Sequence, residues 1–241
     1  MPKHWLIIGA NGGIGAALVQ TLLQQGERVT AISRQPLTAV LAATASAQLN
    51  SYTLADIEAD SAETILSAIF QDKVDAVVLC QGWLHGAGFL PEKSIKQLCR
   101  GAMQQSLEVN LLQPALYLQR LLPFLQKQQK VNIAVLSAKV GSITDNQLGG
   151  WYSYRMAKAA INMLVKCASI ELARYNKEAS LVTLHPGTTD TDMSAPFQKN
   201  LPQGQLRSAE ASAAHIIQVV SALTPEQSGA LVNWDGSLLP F

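Results

Sequence analysis

The chain has 241 residues, of which 48% are hydrophobic and 15% charged, with a net charge of +1 at pH 7. This length suits one sizeable α/β core and is short for two. The near-neutral balance, without a basic cluster, gives no broad attraction for nucleic acid or anionic lipid, and no apolar run approaches the roughly 20 residues that span a bilayer. In chain order, apolar β-branched runs predict strands at 5–8, 28–32, 48–54, 76–79, 131–136, 180–184 and 230–233. Helical periodicity fills 15–25, 62–70, 94–99, 103–127, 152–175 and 209–223. Seven strands alternating with six helices predict a doubly wound parallel sheet with helices on both faces, whose ligands bind beyond the carboxyl ends of the strands.

The first residues lack a basic start, apolar stretch and cleavage site, so a soluble, cytoplasmic protein is expected. Three cysteines and four histidines are scattered without ligand spacing, which predicts free thiols and no metal.

Two motifs carry chemistry. The first, Gly9-Ala-Asn-Gly-Gly-Ile-Gly15, follows the first strand and opens the first helix, so its backbone N–H groups are free for a phosphate. Alone, it is also a common way to end a strand. The second pairs Tyr154 with Lys158, four residues apart on one helix face, where the ammonium can lower the phenol's pKa and fit it for proton transfer. Alone, that spacing often arises by chance. A third feature lies in the helical stretch 103–127. Pro114 has no N–H for the carbonyl of Asn110, four residues back, which either frees that carbonyl or is an ordinary proline kink.

With about 140 residues between the glycine turn and the Tyr/Lys pair, the chain resembles the short-chain dehydrogenase/reductase family along nearly its whole length. The resemblance implies one Rossmann-type domain over 1–241, with a cofactor part at about 1–130 and a catalytic part with a substrate lid at about 131–241. It also implies an NAD(P)-dependent oxidoreductase that transfers hydride to a small-molecule carbonyl compound. Tyr154 gives the proton, Lys158 supports it and holds the nicotinamide ribose, and the Asn110 carbonyl anchors a water for proton resupply.

On the cofactor side, the family's pattern falls on Gly9, Asn11, Gly13, Ile14 and Gly15, then on Asp56 and Ile57 at the adenine, Gly82 in Cys80-Gln81-Gly82, and Pro186, Gly187 and Thr191 at the nicotinamide. Asp56 reads equally well as a helix N-cap. Ser33-Arg34 after the second strand offers a guanidinium and no carboxylate, which favours NADP(H) over NAD(H); a solvated Arg is the plainer alternative.

The family's catalytic Ser falls on Ala138, so its hydroxyl is missing. Ser137 points to the other strand face, and Ser142 is a second possible substitute. The segment 140–158 is similar to the branch of the family that holds C-factor and the Sniffer-type carbonyl reductases. That likeness implies an alternative role as an NADP-binding signalling or regulatory protein with weak or lost catalysis. Trp151 and Tyr152 line either an apolar substrate pocket or plain core. Residues 193–207, with Pro196, Pro202 and Gly204, are the expected mobile lid, and homodimers or homotetramers through helices 103–127 and 152–175 follow from the resemblance.

Overall fold

A computed structural model describes residues 1–43, 46–86, 88–199 and 201–241. The strands are β1 (His4–Ile8), β2 (Arg28–Ser33), β3 (Leu49–Thr53), β4 (Ala76–Leu79), β5 (Asn132–Leu136), β6 (Ser180–His185), β7 (Thr188–Thr189), β8 (Leu206–Arg207), β9 (Leu231–Asn233) and β10 (Leu238–Leu239). The helices are α1 (Gly13–Gln24), α2 (Ala39–Ala43), α3 (Asp60–Ile69), α4 (Arg100–Leu107), α5 (Gln113–Leu125), α6 (Tyr152–Tyr175) and α7 (Ala209–Ala222).

The main sheet runs β10-β9-β6-β5-β4-β1-β2-β3. Its seven expected strands are all parallel, and the eighth, β10, adds an antiparallel edge to β9. A two-residue strand leaves no periodicity to read, which is why the sequence suggests seven. The same holds for the small β7-β8 ladder.

Strand alternation covers both faces. Trp5 and Ile7 of β1, with Val78, Ala134 and Val182, face one core, where Leu18 and Leu22 of α1 and Ile216 and Val220 of α7 pack. Leu6 and Ile8, with Val77, Ile133 and Leu181, face the other, against Leu66 of α3, Leu121 of α5 and Ile161 and Val165 of α6. A sheet buried on both sides needs the near-continuous apolar strands that β1, β4 and β5 supply.

The helical stretch expected at 103–127 is broken rather than continuous. α4 ends at Leu107, five residues of π-helix follow at Glu108–Leu112, and α5 starts at Gln113, whose N–H reaches back to the carbonyl of Glu108. The stretch expected at 94–99 shrinks to one 3-10 turn, Ile95–Gln97, closed by a reciprocal Ser94–Gln97 cap. Among the described residues, no helix is long and apolar enough to cross a membrane.

Candidate active site

β1 and β4 lie side by side although the chain turns outward in opposite directions from them, and the crevice beyond their carboxyl ends is the switch point of the sheet. A groove opens there, lined by Gly9, Asn11, Arg34, Gly82, Gln113 and Tyr117 among others. The glycines are needed for close approach. A Cβ on Gly15 would collide with the carbonyl oxygen of Gly9, and one on Gly13 would stand 2.5 Å from Cγ2 of Thr191. The second contact brings the turn after β1 against the segment after β6, as the sequence pattern requires. Asn11 ties the turn to the loop after β2: its amide donates to the carbonyls of Gln35 (3.2 Å) and Pro36 (2.9 Å) and accepts from the Thr38 N–H at 3.1 Å.

Arg34 is the one charged residue among the described residues lining the groove, and no hydrogen bond or ion pair engages its guanidinium. Both polar atoms of the Gln81 carboxamide are buried beside it without a partner. Leaving such a group unpaired costs about 1–3 kcal/mol, so this is a place prepared for a polar ligand. A cationic lip, free backbone N–H groups at the start of α1 and an unpaired amide together fit a phosphorylated dinucleotide.

Asp56 and Ile57 are among the expected cofactor residues that do not line the groove. Asp56 is exposed and accepts from the Glu58 N–H at 2.8 Å, while the N-cap of α3 is Ala59, so Asp56 does not cap that helix. Ile57 is buried in the core beside the sheet. Cys80 lines the groove with its thiol pushed up to about 12 by burial, which leaves it un-ionised.

On the catalytic side, Lys158 is 2% exposed and donates to the carbonyl of Leu136 at 3.0 Å, with its Nζ 5.6 Å from the centre of the Tyr154 ring. The expected lowering of the phenol's pKa is absent. Burial pushes Tyr154 above its ordinary value and Lys158 down to about 8. Desolvation of the charged forms outweighs an ammonium whose bond is spent on a carbonyl. The ring keeps part of its surface open even though the protein packs densely around the phenol.

Asn110 is wholly buried, and its side chain is fully used. Its oxygen accepts from the Trp83 N–H at 3.0 Å, and its amide donates to the carbonyls of Trp83 (2.8 Å) and Ser106 (2.9 Å). It therefore fixes the loop after β4. His185, at the end of β6, is held down at about 4 by burial, so it is neutral at pH 7 and no proton donor there.

The Ser137 hydroxyl donates to Asn162 of α6 at 2.7 Å, and Ser142 accepts from the Asp145 N–H at 3.1 Å. Ser137 is thus committed to the interior, as strand alternation requires. Over the site, Phe197 packs 5.1 Å from Trp151, and Trp151 stands 6.3 Å edge-on to Tyr154. His85 Nε2 lies 3.1 Å from the carbonyl of Met193. Trp151 accordingly packs between Phe197 and Tyr154.

Residues 3–202 match the short chain dehydrogenase family. The chain belongs to that family. It is accordingly an NAD(P)-dependent oxidoreductase of the short-chain type, and the fold agrees with solved members. The carbonyl reductase Sniffer of D. melanogaster superposes with a TM-score of 0.83 at 24% identity, covering 100% of both chains. An NADPH-bound carbonyl reductase from chicken fatty liver gives 0.80 at 26%, covering 100% of this chain and 99% of that one. The C-signal of Myxococcus xanthus is 33% identical over 58% of this chain and 78% of its own. The expected likeness to the C-factor and Sniffer branch is therefore found.

Several residues around the site carried no signal in the sequence: Trp83, Ser106 and above all Glu92. Each acts through a partner far along the chain, and local pattern does not reveal such partners.

Proposed function

We propose that this chain is an NADPH-dependent reductase of a carbonyl compound, an aldehyde, ketone or quinone, with Tyr154 as general acid. The observation that carries the reading is the pairing of the half-buried Tyr154 with the buried Lys158, next to the packed rings of Trp151 and Phe197. The groove would hold the cofactor through the N–H groups of the Gly9–Gly15 turn, through Arg34 at the adenosine 2′-phosphate and through Gly187 and Thr191 at the nicotinamide end. NADPH supplies the hydride.

Tyr154 then donates its proton to the carbonyl oxygen. A phenol whose pKa is raised stays protonated across the neutral range, which suits an acid in the reductive direction. Lys158, charged below about pH 8, stabilises the phenolate left behind. The Asn110 carbonyl, denied its α-helical donor by Pro114, offers an acceptor for a water that returns the proton. NADP is favoured over NAD because the only charged residue lining the described groove is a cation.

A second reading, a signalling or regulatory protein that binds NADP with little turnover, rests on Ala138, which brings no hydroxyl to the substrate oxygen, and on the likeness to the C-signal. In either reading, two copies would pair through α6. Met156, Met163 and Ile170 recur every seven residues along it and are 42%, 66% and 51% exposed.

Tyr154→Phe is expected to lower kcat at least 100-fold while leaving the NADPH dissociation constant within a few-fold, read by stopped-flow reduction and by fluorescence titration. In the wild type, kcat/KM should be flat through neutrality and fall above about pH 8 as Lys158 loses its proton; a plateau to pH 10 would contradict its role. Arg34→Ser should weaken NADPH binding at least tenfold and leave NADH unchanged, and equal losses for both would remove the 2′-phosphate assignment. Ala138→Ser separates the two readings. Restoring one donor to the oxyanion is worth on the order of 3 kcal/mol, so turnover should rise by about 100-fold in a reductase and stay at zero in a protein without a substrate. Sedimentation equilibrium should give a dimer or tetramer that Met163→Asp dissociates; a monomeric wild type would end the pairing proposal.

A further inference from the structure

Glu92 is 4% exposed, in the loop between β4 and α4, and no step of the proposed chemistry uses it. Its carboxylate accepts from the backbone N–H of Ser153 at 3.2 Å and from the Ser153 hydroxyl, while its own carbonyl accepts from the Trp151 N–H at 2.5 Å. It thus grips the first turn of α6 from 61 residues away in the sequence. This helix has no cap of its own. The N-cap position is Trp151, which makes no side-chain cap bond and is held in the left-handed region at φ 50, ψ 41. It is the one non-glycine residue with positive φ among those described. Such a backbone is strained for a bulky side chain and persists only where its surroundings over-determine it. A buried anion at a helix N-terminus meets the free N–H groups and the positive end of the helix dipole, so Glu92 replaces the missing cap.

The grip extends further. The Ser106 hydroxyl donates to the carbonyl of Ser153 at 3.1 Å, and Asn110 bonds Ser106 in turn. Glu92, Ser153, Ser106 and Asn110 thereby form one buried network next to Tyr154, and the first three of them, with Trp83 and Tyr154, line a small pocket.

We propose that Glu92 is a positioning residue: it caps α6 from outside, holds Trp151 in its strained conformation and so fixes the Tyr154 phenol over the groove. This rests on the reading of Tyr154 as the acid. Its test therefore includes a readout that does not need turnover.

Glu92→Gln keeps the shape but removes the negative charge at the helix start and replaces one acceptor by an NH2, which Ser153 meets only by turning its hydroxyl round to accept. Ser153→Ala removes the hydroxyl donor alone and keeps the backbone bond. Kinetics are read with NADPH and a reducible carbonyl, and the Tyr154 environment by NMR of ring-labelled 13C-tyrosine, its resonance assigned from Tyr154→Phe. Glu92→Gln should lower kcat at least tenfold with the NADPH dissociation constant within twofold, and should shift or split the Tyr154 resonance. Ser153→Ala should do less of both, and the double variant should lose less than the product of the two. Thr224→Ala, which removes the cap of the remote Pro225–Gln227 turn, controls for lost stability and should move neither kcat nor the resonance. An unmoved Tyr154 resonance in Glu92→Gln would overturn the proposal, as would one moved equally by Thr224→Ala. Should Glu92→Gln fail to fold, Ser153→Ala decides by the same readouts. If the wild type turns over nothing, the reductase reading fails alone, and the resonance still decides the role of Glu92.

Discussion

Pro114 has no N–H to offer the carbonyl of Asn110, and the chain accommodates this with five residues of wider π turn between α4 and α5. The wider turn changes which side chains face inward. Asn110 lies buried, while its neighbour Leu111 is half-buried and Leu112 is exposed. Once inside, its carboxamide must be satisfied, and it finds both backbone groups of Trp83 and the carbonyl of Ser106. One local defect therefore ties the loop after β4, the end of α4 and, through Ser106, the start of α6. These segments carry, respectively, the groove wall, the buried network and the Tyr154 phenol.

The charges of this region are few, and burial governs them. Lys158 and Glu92 are both buried, and neither has an opposite charge as a hydrogen-bonding partner; each is held by backbone groups and, for Glu92, a hydroxyl. Taking an ammonium out of water costs several kcal/mol, and the carbonyl of Leu136 returns part of it, so the pKa of Lys158 settles near 8. Sequence spacing rightly puts Lys158 beside Tyr154. It does not reveal that the Nζ turns to the end of β5, nor that a phenol in this packing titrates higher, because both depend on what surrounds the pair.

The fold was legible wherever pattern extends over several residues. The seven parallel strands follow from apolar β-branched runs, and α6 was placed to the residue. Legibility failed where a single contact decides. Helical periodicity across 103–127 is real, since α4, the π turn and α5 are all helical, but the place where the hydrogen bonds change from four to five residues back leaves no trace in it. α2 and β10 are too short to show a period. In the candidate site, the glycine turn and the Tyr154/Lys158 pair stood out by their spacing, and Arg34 and Asn110 stood out with a plainer alternative beside each. Asp56 could be read two ways and turns out to close a local turn. Glu92 could not be read at all, because a lone acid after a proline in an aperiodic loop looks like any solvated charge until α6 is seen to lack a cap.

Ala138 gives the buried network its significance. Strand alternation sends the Ser137 hydroxyl to Asn162, so in the proposed reduction β5 brings no donor to the carbonyl oxygen. A reductase with two donors tolerates some looseness in either, because the developing negative charge is shared. Here the Tyr154 phenol would carry it alone, with Lys158 behind it. Hydrogen-bond stabilisation falls steeply with distance and angle, so the position of that one oxygen matters more than it would with a second donor present. A helix start held at its backbone, its neighbouring hydroxyl and a strained tryptophan fixes that position. In this chain the hydroxyl lacking on β5 and the carboxylate gripping α6 are two parts of one physical problem.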